Sequence, residues 1–62
     1  MTKKDYILIA GCINSTMAVL SKKDTLAMAA LTATAIDLAS KFSADNPRFD
    51  TGRFLRACGI NA

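Results

Sequence analysis

Two cysteines, five aspartates and eight lysines or arginines are the side chains of this 62-residue chain with chemistry to offer. The chain has no histidine, glutamate or tryptophan. That removes the commonest general base, the Ser-His-Asp triad and the usual zinc ligand sets. A cysteine nucleophile needs a base or cation beside it to lower its pKa. Cys12 falls on an apolar stripe, where it reads as core packing. Cys58 follows Arg56 at a helix end, where the helix dipole disfavours a thiolate, and also reads as core. A disulfide between the two has no support in a reducing compartment. Asp45 and Asp50 form the one close acidic pair outside a helix interior, but without a glycine-rich ligand loop they read as turn and cap residues rather than a cation site. Gly52 and Gly59 lack the strand, the loop and the lysine of a phosphate cradle. Ser15, Thr16, Thr32 and Thr34 have no base to activate them. The expectation is a non-enzyme with no catalytic residue, no cofactor and no metal.

Binding is the remaining kind of chemistry, and the charges mark where to look. The net charge is +3 and the sequence pI about 9.2, mildly basic and short of an arginine-dense nucleic-acid arm. Arg48, Arg53 and Arg56 gather near the C-terminus, while Lys3, Lys4, Lys22 and Lys23 sit at two helix starts. Arg48, Arg53 and Arg56, with Lys22 and Lys23, are the candidate partner-binding residues. A long helix, a turn and a short arginine-bearing helix loosely imitate a helix-turn-helix reader. The short helix nevertheless offers Phe54, Leu55, Ala57 and Cys58 where a reader carries polar, base-matching side chains. A protein partner is therefore preferred over nucleic acid.

The elements that must position these residues are legible from caps and breakers. Thr2-x-x-Asp5 is a capping-box variant that opens a helix over about 3–19. Tyr6, Ile9, Ile13, Met17 and Leu20 form its core stripe. Ser21-x-x-Asp24 repeats the signal and opens a second helix over about 22–44, with Met28, Leu31, Ala35, Leu38 and Phe42 on one side. Asn46-Pro47 ends it, because proline drives the preceding residue out of helical geometry. Asp50 caps a third helix over about 51–58, and Gly59 stops it. Phe49 before the cap and Phe54 at the fourth helical position have hydrophobic-staple spacing. The expected architecture is all-α, one small helical domain spanning 1–62.

Both long helices carry more apolar surface than one packing face needs. Leu8, Cys12 and Val19 make a second stripe on the first helix, and Leu26, Ala30 and Ala33, with Ala29 and Ile36, do so on the second. Helices this apolar are normally buried on more than one side, and a chain of this length is near the lower limit for folding alone. Leu8, Cys12, Val19, Leu26, Ala30 and Ala33 are accordingly the candidate interface of a homodimer. Gly11 costs the first helix about 1 kcal/mol relative to Ala, which points to a close helix crossing there. The alanine-rich run over 25–40 is too short for a membrane span and Asp37 interrupts it. Asp5 and Asn14-Ser15-Thr16 argue against a signal peptide. A cytosolic protein with reduced cysteines is expected.

The run Asn46-Pro47-Arg48-Phe49-Asp50-Thr51-Gly52-Arg53-Phe54-Leu55-Arg56-Ala57-Cys58-Gly59, together with Lys4-Asp5-Tyr6 and Ile9-Ala10, resembles small accessory proteins encoded by tailed phages and prophages. The likeness covers both ends, about a third of the chain, and leaves the alanine-rich middle unmatched. It implies a phage product acting in the cytoplasm of a bacterial host, and it assigns no active residues. By analogy with anti-CRISPR proteins, it implies a function of binding a host or defence protein and inhibiting or modulating it. The alternative is a small basic DNA-binding regulator using the arginines and lysine pairs. A purely structural or assembly subunit is a third reading.

Overall fold

The computed structural model describes residues 1–60, so the last two residues of the expected 1–62 domain lie outside it. Among the described residues the chain is all-helical: α1 spans Lys3–Val19, α2 Thr25–Asp45 and α3 Thr51–Ala57. Each boundary has a local cause. Thr2 closes a reciprocal capping box with Asp5, whose Oδ2 accepts from the Thr2 backbone N at 3.0 Å while Thr2 Oγ1 accepts from Asp5 N at 3.4 Å. The Thr2 backbone N–H, and secondarily the Thr2 hydroxyl donating to Oδ2 at 3.2 Å, stabilise the Asp5 carboxylate and hold its pKa below the ordinary 3.8. The Ser21–Asp24 turn reverses the chain, with Asp24 N donating to Ser21 O at 2.9 Å.

The second helix corrects the sequence reading at its start. It begins at Thr25 instead of 22, because Asp24, not Ser21, is the N-cap, and its Oδ1 accepts from Ala27 N at 3.1 Å. Ser21 serves the turn, accepting from Lys23 N. At the far end Pro47 leaves Asn46 extended, with φ −136°. The Asn46 side chain then accepts from Arg48 N at 3.1 Å, and its carbonyl from Phe49 N at 2.9 Å, tightening the turn into α3.

Asp50 caps α3 through Arg53 N at 3.0 Å. Helix α3 ends one residue earlier than expected, since Cys58 is its C-cap. Gly59 then takes φ +92°, its N–H bonding to Arg56 O while Ile60 N bonds to Leu55 O. That paired closure is a Schellman motif and requires a left-handed residue at position 59. A Cβ there would also stand 2.6 Å from Asn14 Oδ1.

Helices α1 and α2 run antiparallel, with Tyr6 near the start of one against Phe42 near the end of the other. Helix α3 packs on both. It runs from the Tyr6 end toward Asn14 and Met17, where Gly59 meets α1. The long helices contribute small buried residues, Ala10, Ala35 and Ala39 beside Ile13, and α3 and its C-cap contribute Phe54, Leu55 and Cys58. Tyr6, Phe42, Phe49 and Phe54 then interlock with ring centroids 4.7 to 5.6 Å apart in edge-on and tilted pairs.

Two expectations are corrected by this packing. Cys12 is exposed, not core, because it lies away from the Tyr6–Ile13 stripe. Gly11 allows no close crossing within the chain, since a Cβ there would have no heavy atom within 4 Å.

Replacing Phe54 with Ala is expected to destabilise the fold by about 3–5 kcal/mol. Phe54 is 5% exposed and contacts both Phe42 and Phe49. Thermal unfolding followed by circular dichroism checks this; an unchanged Tm would place Phe54 outside the core.

Candidate functional site

A groove of about 330 Å³ lies between the first half of α1 and the α2–α3 turn with α3. Its apolar lining includes Tyr6, Ala10, Phe49, Phe54 and Ala57. Lys3, Arg48 and Arg53 also line it, with Asp50 as its acid. Each is placed by a local feature already described. Lys3 is the first residue of α1 behind the capping box, Arg48 sits in the turn that Asn46 tightens, and Arg53 projects from the first turn of α3. Asp50 serves the helix cap, its Oδ1 accepting the Arg53 backbone N–H, and it leaves the lining with three cations to one acid.

Among the described residues the cations of this rim have no carboxylate within ion-pair distance. The ion pair found among the described residues is Lys41 Nζ with Asp37 Oδ1 at 2.5 Å, exposed on α2. The Tyr6 hydroxyl makes no hydrogen bond among the described residues, although its ring is fixed against Phe42 and Phe49. The groove therefore joins an aromatic wall to three cations that are unpaired among the described residues, and to a phenol. Such a surface can accept a carboxylate together with an apolar side chain.

The five sequence-derived binding candidates do not converge. Arg48 and Arg53 share the groove. Arg56, three residues from Arg53, is not among its lining residues, and its guanidinium lies over Gly52, with Nη1 3.2 Å from the position of a glycine Cβ. Lys22 and Lys23 stand in the α1–α2 turn, at the other end of a helix about 25 Å long. Lys3, which the sequence offers only within the lysine pairs of the DNA-binding alternative, joins the groove, and so does Tyr6, which the sequence does not mark as a binding residue. Tyr6 carries one usable signal, a polar-tipped aromatic at the end of a core stripe, but only the path of α3 brings it beside the arginines.

The outer faces of the long helices form a second, different surface. All six candidate interface residues are exposed: Leu8, Cys12, Val19, Leu26, Ala30 and Ala33. Val19 and Leu26 are 82% and 84% exposed. Three hydroxyls on these helices are turned to their own backbones. Ser15 Oγ donates to Gly11 O, Thr16 Oγ1 to Cys12 O and Thr34 Oγ1 to Ala30 O, at 2.9 to 3.0 Å. The faces are consequently less polar than their sequence suggests.

The thiols divide by burial. Cys58 is fully buried, and desolvation pushes its pKa above 9.0, whereas Cys12 is open to solvent. No three His, Cys, Asp or Glu side chains cluster among the described residues. No described helix is long and apolar enough to cross a membrane. Comparison with family models, curated proteins and solved structures finds no match to this chain.

A thiol titration with a disulfide reagent should read one reactive cysteine in dilute native protein and two in denaturant. The native signal should vanish in Cys12→Ser. Two fast thiols in the native protein would contradict the burial of Cys58.

Proposed function

We propose that this chain is a non-catalytic accessory protein of phage origin that forms a helical homodimer in the bacterial cytoplasm. In this reading it binds a host or defence-system protein and inhibits or modulates it. The observation that carries the binding role is the groove, where Lys3, Arg48 and Arg53, without an ion pair among the described residues, stand round Tyr6 and Phe49. The phage setting rests on the resemblance of the Asn46–Gly59 run. The mode of action rests on analogy with small phage proteins that block host machinery by occupying it.

Self-association is supported by area as well as by residue type. The chain exposes 4505 Å² at a mass of 6.6 kDa. A compact monomer of that mass exposes about 3,900 Å². The excess, roughly 600 Å², approaches the ~800 Å² that each partner buries in a standard interface. Gly11 is exposed, and Ser15 and Ala18 follow at one and two turns on the outer face of α1. That succession lets a second helix approach closely, which accounts for a mid-helix glycine with no neighbour in its own chain.

A DNA-binding regulator is the second reading, favoured by the net positive charge. Arginines and lysines at two ends of the molecule would then contact phosphates, and affinity would fall steeply with salt.

Light scattering over a hundredfold dilution series should return twice the chain mass at the upper end, and Cys12 labelling should slow as the dimer forms. A monomer mass throughout, with concentration-independent labelling, would remove the dimer.

Immobilised protein should capture from a bacterial lysate a protein that persists after nuclease treatment and is lost with Arg48→Ala/Arg53→Ala. Arg56→Ala should retain it. Capture that disappears with nuclease would transfer the assignment to nucleic acid.

A further inference from the structure

The groove's chemistry narrows what it holds. We propose that the α1–α3 groove is a peptide-binding site for an acidic segment carrying an apolar anchor, an inference that rests on the binding-protein reading above. The anchor side chain lies in the groove against Tyr6, Phe49 and Phe54, and flanking carboxylates meet Lys3, Arg48 and Arg53.

Charge complementarity selects the occupant. The three cations have no carboxylate within ion-pair reach among the described residues, and the single acid lining the groove, Asp50, is held by the Arg53 backbone N–H. An anionic ligand therefore displaces no internal ion pair when it binds. The apolar requirement comes from the wall. Phe49 and Tyr6 are half-buried, so part of each ring still faces outward, and their mutual packing at 4.7 Å fixes them before a ligand arrives. A preformed wall of this kind lowers the ordering cost of binding. A volume near 330 Å³ accommodates one large side chain and adjoining backbone, not a folded domain.

Nucleic acid fits less well. The three cations bracket an aromatic hollow between two helices, whereas a strand backbone needs cations spaced along a track, and the remaining lysine pair, Lys22 and Lys23, lies at the distant turn.

Tyr6 supplies the readout. It is the sole tyrosine in a chain without tryptophan, so the protein's intrinsic emission reports from the groove itself. The probe is the peptide Gly-Asp-Asp-Phe-Asp-Asp-Leu-Asp-Asp-Gly. Controls are its counterpart with Ser in place of Phe and Leu, and a single-stranded oligonucleotide of matching charge.

The expected result at physiological salt is a saturable change in Tyr6 emission with Kd on the order of 100 μM. The serine counterpart should bind at least about fivefold more weakly. Arg48→Glu/Arg53→Glu should weaken the probe by about tenfold or more, while Lys22→Glu/Lys23→Glu, with the same change in net charge, should alter it by less than about twofold. Helical circular dichroism checks that each variant folds, and Arg48→Ala/Arg53→Ala provides a milder version with the same expected direction.

Equal weakening by the two charge reversals would overturn the site, as would equal binding of the serine counterpart, tighter binding of the oligonucleotide, or no saturable change. If the peptide fails while nuclease-resistant capture from lysate persists, this inference falls and the binding-protein reading stands. If both fail, both fall.

Discussion

Ala10, Ala35 and Ala39 are the most deeply buried residues of the two long helices, and their small side chains leave the centre of the core to another element. Phe54, Leu55 and Cys58 fill it from a helix of only seven residues and its cap. The seating of Phe54 is the constraint on which the rest depends. Its approach is fixed by three local devices in succession: the proline-enforced break at Asn46, the Asp50 cap, and the staple between Phe49 and Phe54, whose rings lie 5.5 Å apart. The Schellman closure at Gly59 fixes the exit. A short helix of this length has little stability of its own. It persists here because its inward face completes the core for both neighbours.

The same wedge creates the groove. Because α3 enters beside Tyr6, the aromatic cluster spans all three helices and presents one edge outward, and the entry turn places Arg48 and Arg53 on the rim. Stability and binding thus share Phe49, which packs on Tyr6, Phe42 and Phe54 and also lines the groove. The outer faces of α1 and α2 are free of this coupling. Exposed apolar side chains and back-bonded hydroxyls make them a surface that can be covered without disturbing the core.

Most of the fold was readable in the sequence because it is encoded in short-range signals. Capping residues at positions 2, 24 and 50, the break at Pro47 and the stop at Gly59 act over three or four residues, the range over which side chains meet their own backbone. Helical periodicity likewise separated the stripe of Tyr6, Ile9 and Ile13 from the opposite stripe of Leu8, Cys12 and Val19. Where the structure departs from the sequence reading, local signals compete or the neighbouring helix decides. Ser21 and Asp24 are both capping residues, and the competition between them is decided by the turn, which engages Ser21 and leaves Asp24 to cap. The apolar company of Cys12 in the sequence suggests core, yet that company belongs to the outer face.

The site was less legible, because it depends on one helix crossing another. Spacing alone puts Arg53 and Arg56 on neighbouring positions of α3, but the burial of Phe54 and Leu55 decides which of them overlooks the groove. Nothing local to Lys3 or Tyr6 indicates that residues some fifty positions later will stand beside them. The same crossing bears on the choice between partners. A recognition helix must project enough of its surface to enter a groove of DNA. Helix α3 spends Phe54, Leu55 and its cap Cys58 on the core and lays Arg56 over Gly52, leaving Arg53 directed to a hollow already walled by aromatic rings. Its charge thus stands beside an apolar wall, an arrangement suited to a ligand that brings both a carboxylate and a hydrocarbon.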